Sequence, residues 1–400
     1  MLSKLSMVLG IRPDVIRSSL IIKSLKTQLG DQFEFVWSGQ HYSNNMKDVF
    51  FRQLDVPVPD LTLSVDTSSD ESMIGSLISS LGRYLDGAQP AAVVFLGDTN
   101  TVTGSIAAAA KNIPIVHIEG CMRSYDWRMP EEKYRTAIDH LSDVIYAYLP
   151  EYKQQGIIEG LRAENIVVTG NPIVDVLDQY FRSGTVRLSK DEKNQLLRSF
   201  KLQPGLPFWT MTCHRRENVD SPSALKRILE LANGTNEPVI FPAGYRTQAR
   251  MKQWALALPE NVLLTDPIGY AELMELMFDS VGVLTDSGTV VEEAAVLGVP
   301  SVQMRTSTER PQVYDSGGSV KFDPHGNPDE FPISIILDSV RARNGKAWQH
   351  GLGDGLASTR IVDDLVSRLN AGSWNGHIPD SRHRPIERNY GFGKEERGRP

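Results

Sequence analysis

The sequence predicts an α/β protein of two similar halves, each a parallel sheet covered on both faces by helices, with a cleft between them. Three observations carry this prediction. Short apolar runs alternate with amphipathic helical stretches, the alternation restarts after about residue 175, and polar residues recur where an apolar run gives way to a turn.

In the first half SMVLG, FEFVWSG, AAVVFLG, IPIVHIEG and VIYAYLP read as buried strands, with IRSSLIIKSLKTQL and SMIGSLISSLGRYL as helices between them. In the second half PFWTMTC, EPVIFPAG, NVLLTD, VGVLTDSG and PSVQMR read as strands, separated by helices that include PSALKRILELA and AELMELMF. Strands joined through helices pair in parallel. The expected domains are residues 1–176 and 177–372, with the polar segment 183–205, ending in Gln203-Pro204-Gly205, as the outer border of the second. A last amphipathic helix near TRIVDDLVSRLN has the option of crossing back to the first domain, and the Gly-, Pro- and Arg-rich stretch 373–400 reads as a flexible tail.

Composition sets limits on function. A chain of 400 residues exceeds what one core usually organises. With 40% hydrophobic and 23% charged residues it has a globular balance, and a net charge of -7 repels polyanions, which argues against a nucleic-acid partner. No apolar stretch approaches the roughly 20 residues a membrane span needs. The N-terminal MLSKLSMVLG leads straight into Arg12-Pro13-Asp14 and reads as a first strand, not a signal. Two cysteines, Cys121 and Cys213, make no disulfide framework, so the expected home is a reducing cytoplasm.

The apolar runs end in Arg12, Asp98, Glu119, His214 and Ser287. In open α/β sheets the carboxyl edge forms the crevice where ligands bind, so these positions are candidate site residues. In GIRPDVIR, Pro13 suits a first helical turn, and Arg12 and Arg17 suit an anion held there, against the bland reading of a solvated turn. Gln40 and His41 after the second run read equally well as loop polars. Asp98, Glu119 and Glu131 are three carboxylates able to meet at one edge, as proton abstraction and return require. The bland alternatives are a helix N-cap for Asp98 and a favourable first-turn charge for Glu131 and Glu132. Glu119, directly after IPIVHI, is expected part-buried with Arg123 or Arg135 as partner. In HRREN, His214 among cations suits a phosphate contact. DSGTVVEEA predicts a turn and a helix N-terminus able to cradle phosphate, with Glu293 a turn further in placed to take ribose hydroxyls. RTSTERP adds Arg305 and Arg310, either able to neutralise a leaving group.

Together these segments resemble the non-hydrolysing UDP-N-acetylglucosamine 2-epimerase family, relatives of the GT-B glycosyltransferases. The resemblance runs from about residue 8 to 370 and rests on GIRPDVIR, SGQHY, GDTNT, HIEGCMRS, MPEEKYR, TGNPIVD, HRREN, DSGTVVEEA and RTSTERP in family order. It implies two Rossmann-like GT-B domains facing each other across a cleft, UDP held mainly by the C-terminal one, a homodimer, and neither NAD, another cofactor nor a metal. It implies C2 epimerisation of a UDP-N-acetylhexosamine, UDP-GlcNAc to UDP-ManNAc, by elimination of UDP to a 2-acetamidoglucal and re-addition. By the same resemblance Asp98, Glu119 and Glu131 are the acid/base groups, and His214 with Arg12 and Arg310 stabilises the diphosphate. Arg17, Gln40, Arg135, Asn218, Ser287, Gly288, Thr289 and Glu293 fall on family positions that bind sugar, phosphate or uridine.

The sequence departs from the family at several points. Arg17 replaces a lysine, Glu119-Gly120-Cys121-Met122-Arg123 replaces Glu-Ala-Gly-Leu-Arg, Gly244 or Tyr245 replaces a histidine, and Thr289 replaces a second glycine. The last changes lean towards epimerases of UDP-diacetamido-glucuronate or UDP-N-acetyl-fucosamine type, and the residues after Gln40 do not follow the pattern of the allosteric site found in some members. Cys121 reads as a small buried filler. A hydrolysing epimerase releasing ManNAc and UDP, a GT-B glycosyltransferase and a nucleotide-sugar-binding regulator are the alternatives; the intact HRREN counts against the first and the three carboxylates against the others.

Overall fold

The structure, a computed structural model, describes residues 4–39 and 54–374. Each of the apolar runs named above contains a strand, because β-branched and aromatic residues in short runs fill a sheet covered on both sides. In the first half these are β1 (Leu5–Leu9), β2 (Phe33–Trp37), β3 (Leu61–Thr62), β4 (Ala92–Leu96), β5 (Ile115–Ile118), β6 (Val144–Ala147) and β7 (Ile166–Val168). Every residue of β1, β4, β5 and β6 is buried. The sheet is parallel throughout, in the order β3-β2-β1-β4-β5-β6-β7.

The second half repeats the plan with β8 (Trp209–Thr212), β9 (Val239–Pro242), β10 (Val262–Thr265), β11 (Val283–Thr285), β12 (Ser301–Met304) and β13 (Ser319–Phe322). Its order is β10-β9-β8-β11-β12-β13, again all parallel. In both sheets the strand order reverses beside the first strand, between β1 and β4 and between β8 and β11. Chains leaving such a pair diverge and open a crevice at the carboxyl edge. Three strands escape the sequence reading, β3, β7 and β13, and all are edge strands. An edge strand has no need of a continuous apolar run, and both residues of β3 are exposed.

The segment 183–205 holds the helix Lys190–Ser199, which opens with a Ser189/Glu192 capping box. The last helix, Ala357–Ala371, packs on Arg12–Leu29 and Pro172–Val176 of the first half. Asp175 accepts its first N–H groups, from Ala357 at 3.1 Å and Ser358 at 2.6 Å, and Tyr146 donates to Asp364 at 2.8 Å. Ile361 and Leu365 are fully buried there, worth roughly 1.5–3 kcal/mol each. Val290 and Ala294 of the second half join the same apolar cluster, so packing is continuous between the halves. Most of the expected tail, from residue 375 on, lies outside the described residues.

Candidate active site

The helix Arg12–Leu29 starts at once after β1, with Pro13 in its first turn. Asp14 and Arg17 share one face of it, both buried, with Arg17 Nη2 donating to Asp14 Oδ1 at 2.9 Å. Burial pushes the Asp14 carboxyl up to about 6, and Arg17 offsets only part of that. Arg17 also donates from Nη1 to Glu119, beyond β5. Tyr148 donates to the same carboxylate oxygen at 3.1 Å, and Arg310 Nη2 donates to the other at 2.9 Å. Glu119 is 4% exposed and has a φ of 75°, a left-handed conformation rare for a residue with a side chain. Its N–H is held by Tyr146 O at 3.0 Å. Strain of this kind persists only where the surroundings over-determine it, as at functional sites. The next residue has to be glycine, since a Cβ on Gly120 would lie 2.2 Å from Ile145.

The expected partners of Glu119 are corrected by this geometry. Arg123 Nη1 is taken by Asp139 at 2.7 Å and its other nitrogens by Glu159, while Arg135 bonds Asp98 and, at 2.7 Å, Glu132. Sequence proximity to Glu119 did not matter. Its backbone conformation brings the carboxylate to Arg17 on the helix Arg12–Leu29 and to Arg310 on the loop after β12. Asp98, after β4, would be raised by burial, but Arg135 foremost, with Arg215 and Arg310, holds it below the usual carboxylate range. The fully buried His117 links the helix Pro130–Leu141 to the loop after β4, one ring nitrogen 2.7 Å from Asp139 Oδ1 and the other 2.8 Å from Gly97 O.

At the second crevice His214 and Arg215 follow β8, and Asp286 and Ser287 follow β11. Asp286 is fully buried and accepts the N–H groups of His214 and Arg215, each at 3.0 Å, and Asn218 Nδ2 at 3.2 Å. It thereby fixes the loop that carries His214. Ser287 Oγ caps the helix Gly288–Leu297, accepting from Val290 N at 3.3 Å. Gly288 leaves room for Arg310, whose Nη1 would lie 2.6 Å from any Cβ there. Glu293 is buried deeper in the same helix, where burial pushes it up to about 8 although Tyr270 donates to it at 3.0 Å.

The two crevices share one cavity of about 350 Å³. Asp98, Glu119, Glu131 and Arg17 line it from the first half, and His214, Ser287, Gly288, Thr289 and Arg310 from the second. Arg12, Arg135, Asn218 and Glu293 stand outside its wall: Arg135 and Asn218 are buried behind Asp98 and Asp286, and Arg12 is half-buried at the helix start. Gln40 lies outside the described residues. Sequence reasoning missed Glu309, Arg215, Tyr134 and Asn100, which also line the cavity, and Asp286 and His117, which hold its loops. Each lies within or beside a quoted motif, and that adjacency was the signal available. Across the mouth Arg216 Nη1 reaches Asp70 at 2.7 Å, an exposed pair worth little by itself. An adjoining cavity of about 380 Å³ shares Pro130, Glu131, Arg215 and Arg216 and adds Arg128, Arg305 and His325.

A family model described as UDP-N-acetylglucosamine 2-epimerase matches residues 23–366. The chain belongs to this family. A UDP-N-acetylglucosamine 2-epimerase of Methanocaldococcus jannaschii is 33% identical, with 91% of this chain and 99% of that protein covered. A UDP-2,3-diacetamido-2,3-dideoxy-D-glucuronate 2-epimerase of Pseudomonas aeruginosa is 32% identical, with the same coverage. The crystal structure of the M. jannaschii UDP-GlcNAc 2-epimerase with UDP-GlcNAc and UDP superposes with a TM-score of 0.80 at 30% identity, covering 91% of this chain and 99% of that one. The two parallel sheets are thus the GT-B arrangement of the 2-epimerases. Within that family frame Cys121 is fully buried at a φ of 66°, and burial pushes its thiol up. A protonated, inaccessible thiol is no nucleophile.

Proposed function

We propose that this enzyme inverts C2 of a UDP-N-acetylhexosamine, UDP-GlcNAc to UDP-ManNAc, without hydrolysis. The observation that carries the reading is the single cavity lined by Asp98, Glu119 and Glu131 from one half and by His214, Arg310 and the helix start at Ser287–Thr289 from the other.

The sugar C2 proton has no adjacent carbonyl to acidify it, so direct abstraction is slow. Elimination solves this. A carboxylate takes the C2 proton as the C1–O bond breaks, the C–H electrons form the C1=C2 double bond of a 2-acetamidoglucal, and UDP leaves with the C1–O pair. A second carboxylic acid then protonates C2 from the opposite face and UDP returns to C1. Arg17, Arg310, His214 and the N–H groups at the start of Gly288–Leu297 take up charge as it develops on the diphosphate, where each lost donor typically costs 10²–10³ in rate. Arg135 and Asn218 serve the ligand from behind the wall, Arg135 through Asp98 and Asn218 through Asp286, while Arg12 and Glu293 lie outside it.

A second reading, a substrate with acylamino or carboxylate groups at C3 or C6, is favoured by the adjoining cavity with Arg128, Arg305 and His325 on its wall. Incubation with a panel of UDP-sugars in heavy water, followed by NMR, tests both. Deuterium at C2 of one UDP-sugar and its epimer is expected; free ManNAc with UDP, or no exchange at all, refutes the reading. We also infer a homodimer acting on a dissolved nucleotide sugar in the cytoplasm, which light scattering and fractionation test. No helix among the described residues is long and apolar enough to cross a membrane, and both cysteines are free and buried.

A further inference from the structure

Glu309 stands on the loop after β12, 1% exposed, and its backbone O accepts from Tyr152 at 3.2 Å. Its Oε2 accepts from Arg305 Nη1 at 2.9 Å and its Oε1 from Arg310 Nη1. Arg215 Nη2 lies 3.7 Å and Arg135 Nη2 3.9 Å from the same Oε1. Four guanidinium groups, three from the second half and one from the first, thus converge within 4 Å of one carboxylate. Arg135 is also held by Asp98 and Glu132, and Arg310 by Glu119 and Glu292, while Glu309 is within reach of all four guanidinium groups.

Glu309 also lines the main cavity, beside Arg215 and Arg310. A carboxylate in the wall of a diphosphate site opposes binding of the anion in the ground state. Its presence makes sense if it holds the arginines aimed and charged before the ligand arrives, since preorganised charges need no rearrangement when the transition state forms.

We propose that Glu309 is a positioning residue that keeps Arg135, Arg215, Arg305 and Arg310 in the geometry that stabilises the departing diphosphate. The proposal rests on the elimination reading above. It is tested by UDP calorimetry and C2 exchange on the full-length protein. Glu309→Gln is expected to lower kcat for exchange about tenfold or more while UDP binds as tightly or tighter, because a neighbouring negative charge is gone. Glu309→Asp, with the charge on a shorter arm, is expected to recover part of kcat at UDP affinity within about twofold of wild type. Unchanged kcat in Glu309→Gln, an aspartate variant no faster than the glutamine one, or parallel losses of kcat, UDP affinity and Tm would each overturn the proposal, the last by making the residue merely structural. A wild-type protein that exchanges no deuterium overturns the elimination reading and this role with it. Exchange in the wild type with an unaffected glutamine variant overturns the role alone.

Discussion

Arg310 Nη2 lies 2.9 Å from Glu119 Oε1, a contact between the loop after β12 and the loop after β5 that spans the cleft. The same guanidinium has its Nε 2.9 Å from Glu292 Oε1. One cation is therefore shared between a candidate acid/base group and a carboxylate buried in the helix Gly288–Leu297. On the proposed reading a bound diphosphate would compete with Glu119 for it.

Replacing that fork by a point charge tests the sharing. Arg310→Lys is expected to lower kcat about 10²–10³-fold, since the two-directional contact is lost while one positive charge remains. His214→Ala is expected to lower turnover in the same way by weakening the leaving-group clamp. Steady-state kinetics in both directions measure each, and wild-type kcat in Arg310→Lys would contradict the assignment.

The carboxylates are tested by neutral isosteres. Glu119→Gln and Glu131→Gln are expected to keep UDP affinity within a few-fold while C2 exchange drops by about 10²–10⁴, the range typical of general acid–base groups. Calorimetry with UDP and deuterium incorporation give the two readouts. Exchange at the wild-type rate in both variants would remove the mechanism.

Gly288 is a steric prediction. Its methyl in Gly288→Ala would meet Arg310 at 2.6 Å, so the guanidinium has to move away from the cavity. Turnover is expected to fall by about tenfold or more with Tm changed by only a few degrees, because the alanine suits the start of a helix. A melting curve and kcat on the same preparation check this, and full activity would show that Arg310 has freedom the structure does not suggest.

Protonation of Glu293 couples to stability. Burial raises it from about 4.5 to about 8 in the folded chain, so between those values the folded state binds more protons than the unfolded one. Its contribution is complete below the lower value and disappears as pH rises through the upper one; Asp14, pushed up to about 6, acts in the same direction at lower pH. Unliganded wild type should thus lose up to a few kcal/mol relative to Glu293→Gln between about pH 5 and about pH 8.5. Thermal melts across that range at constant ionic strength provide the comparison; parallel curves would exclude the linkage.

Apolar periodicity and the position of polar residues along the chain were enough to read two parallel sheets and to mark Asp98, Glu119, His214 and Ser287 as lying on their carboxyl edges. That information is local. A buried parallel strand is a mostly apolar run, and its end is visible where the run stops. Edge strands β3, β7 and β13 were not legible, because part or all of each is only partly buried or exposed. Pairing was not legible either. The approach of Arg17 and Arg310 to Glu119, the gathering of four arginines round Glu309 and the burial of Glu293 depend on distances between helices and loops far apart in sequence. Such distances are set by how the helices pack the two sheets together, and an acidic residue in a loop looks the same on paper whether water or four guanidinium groups surround it.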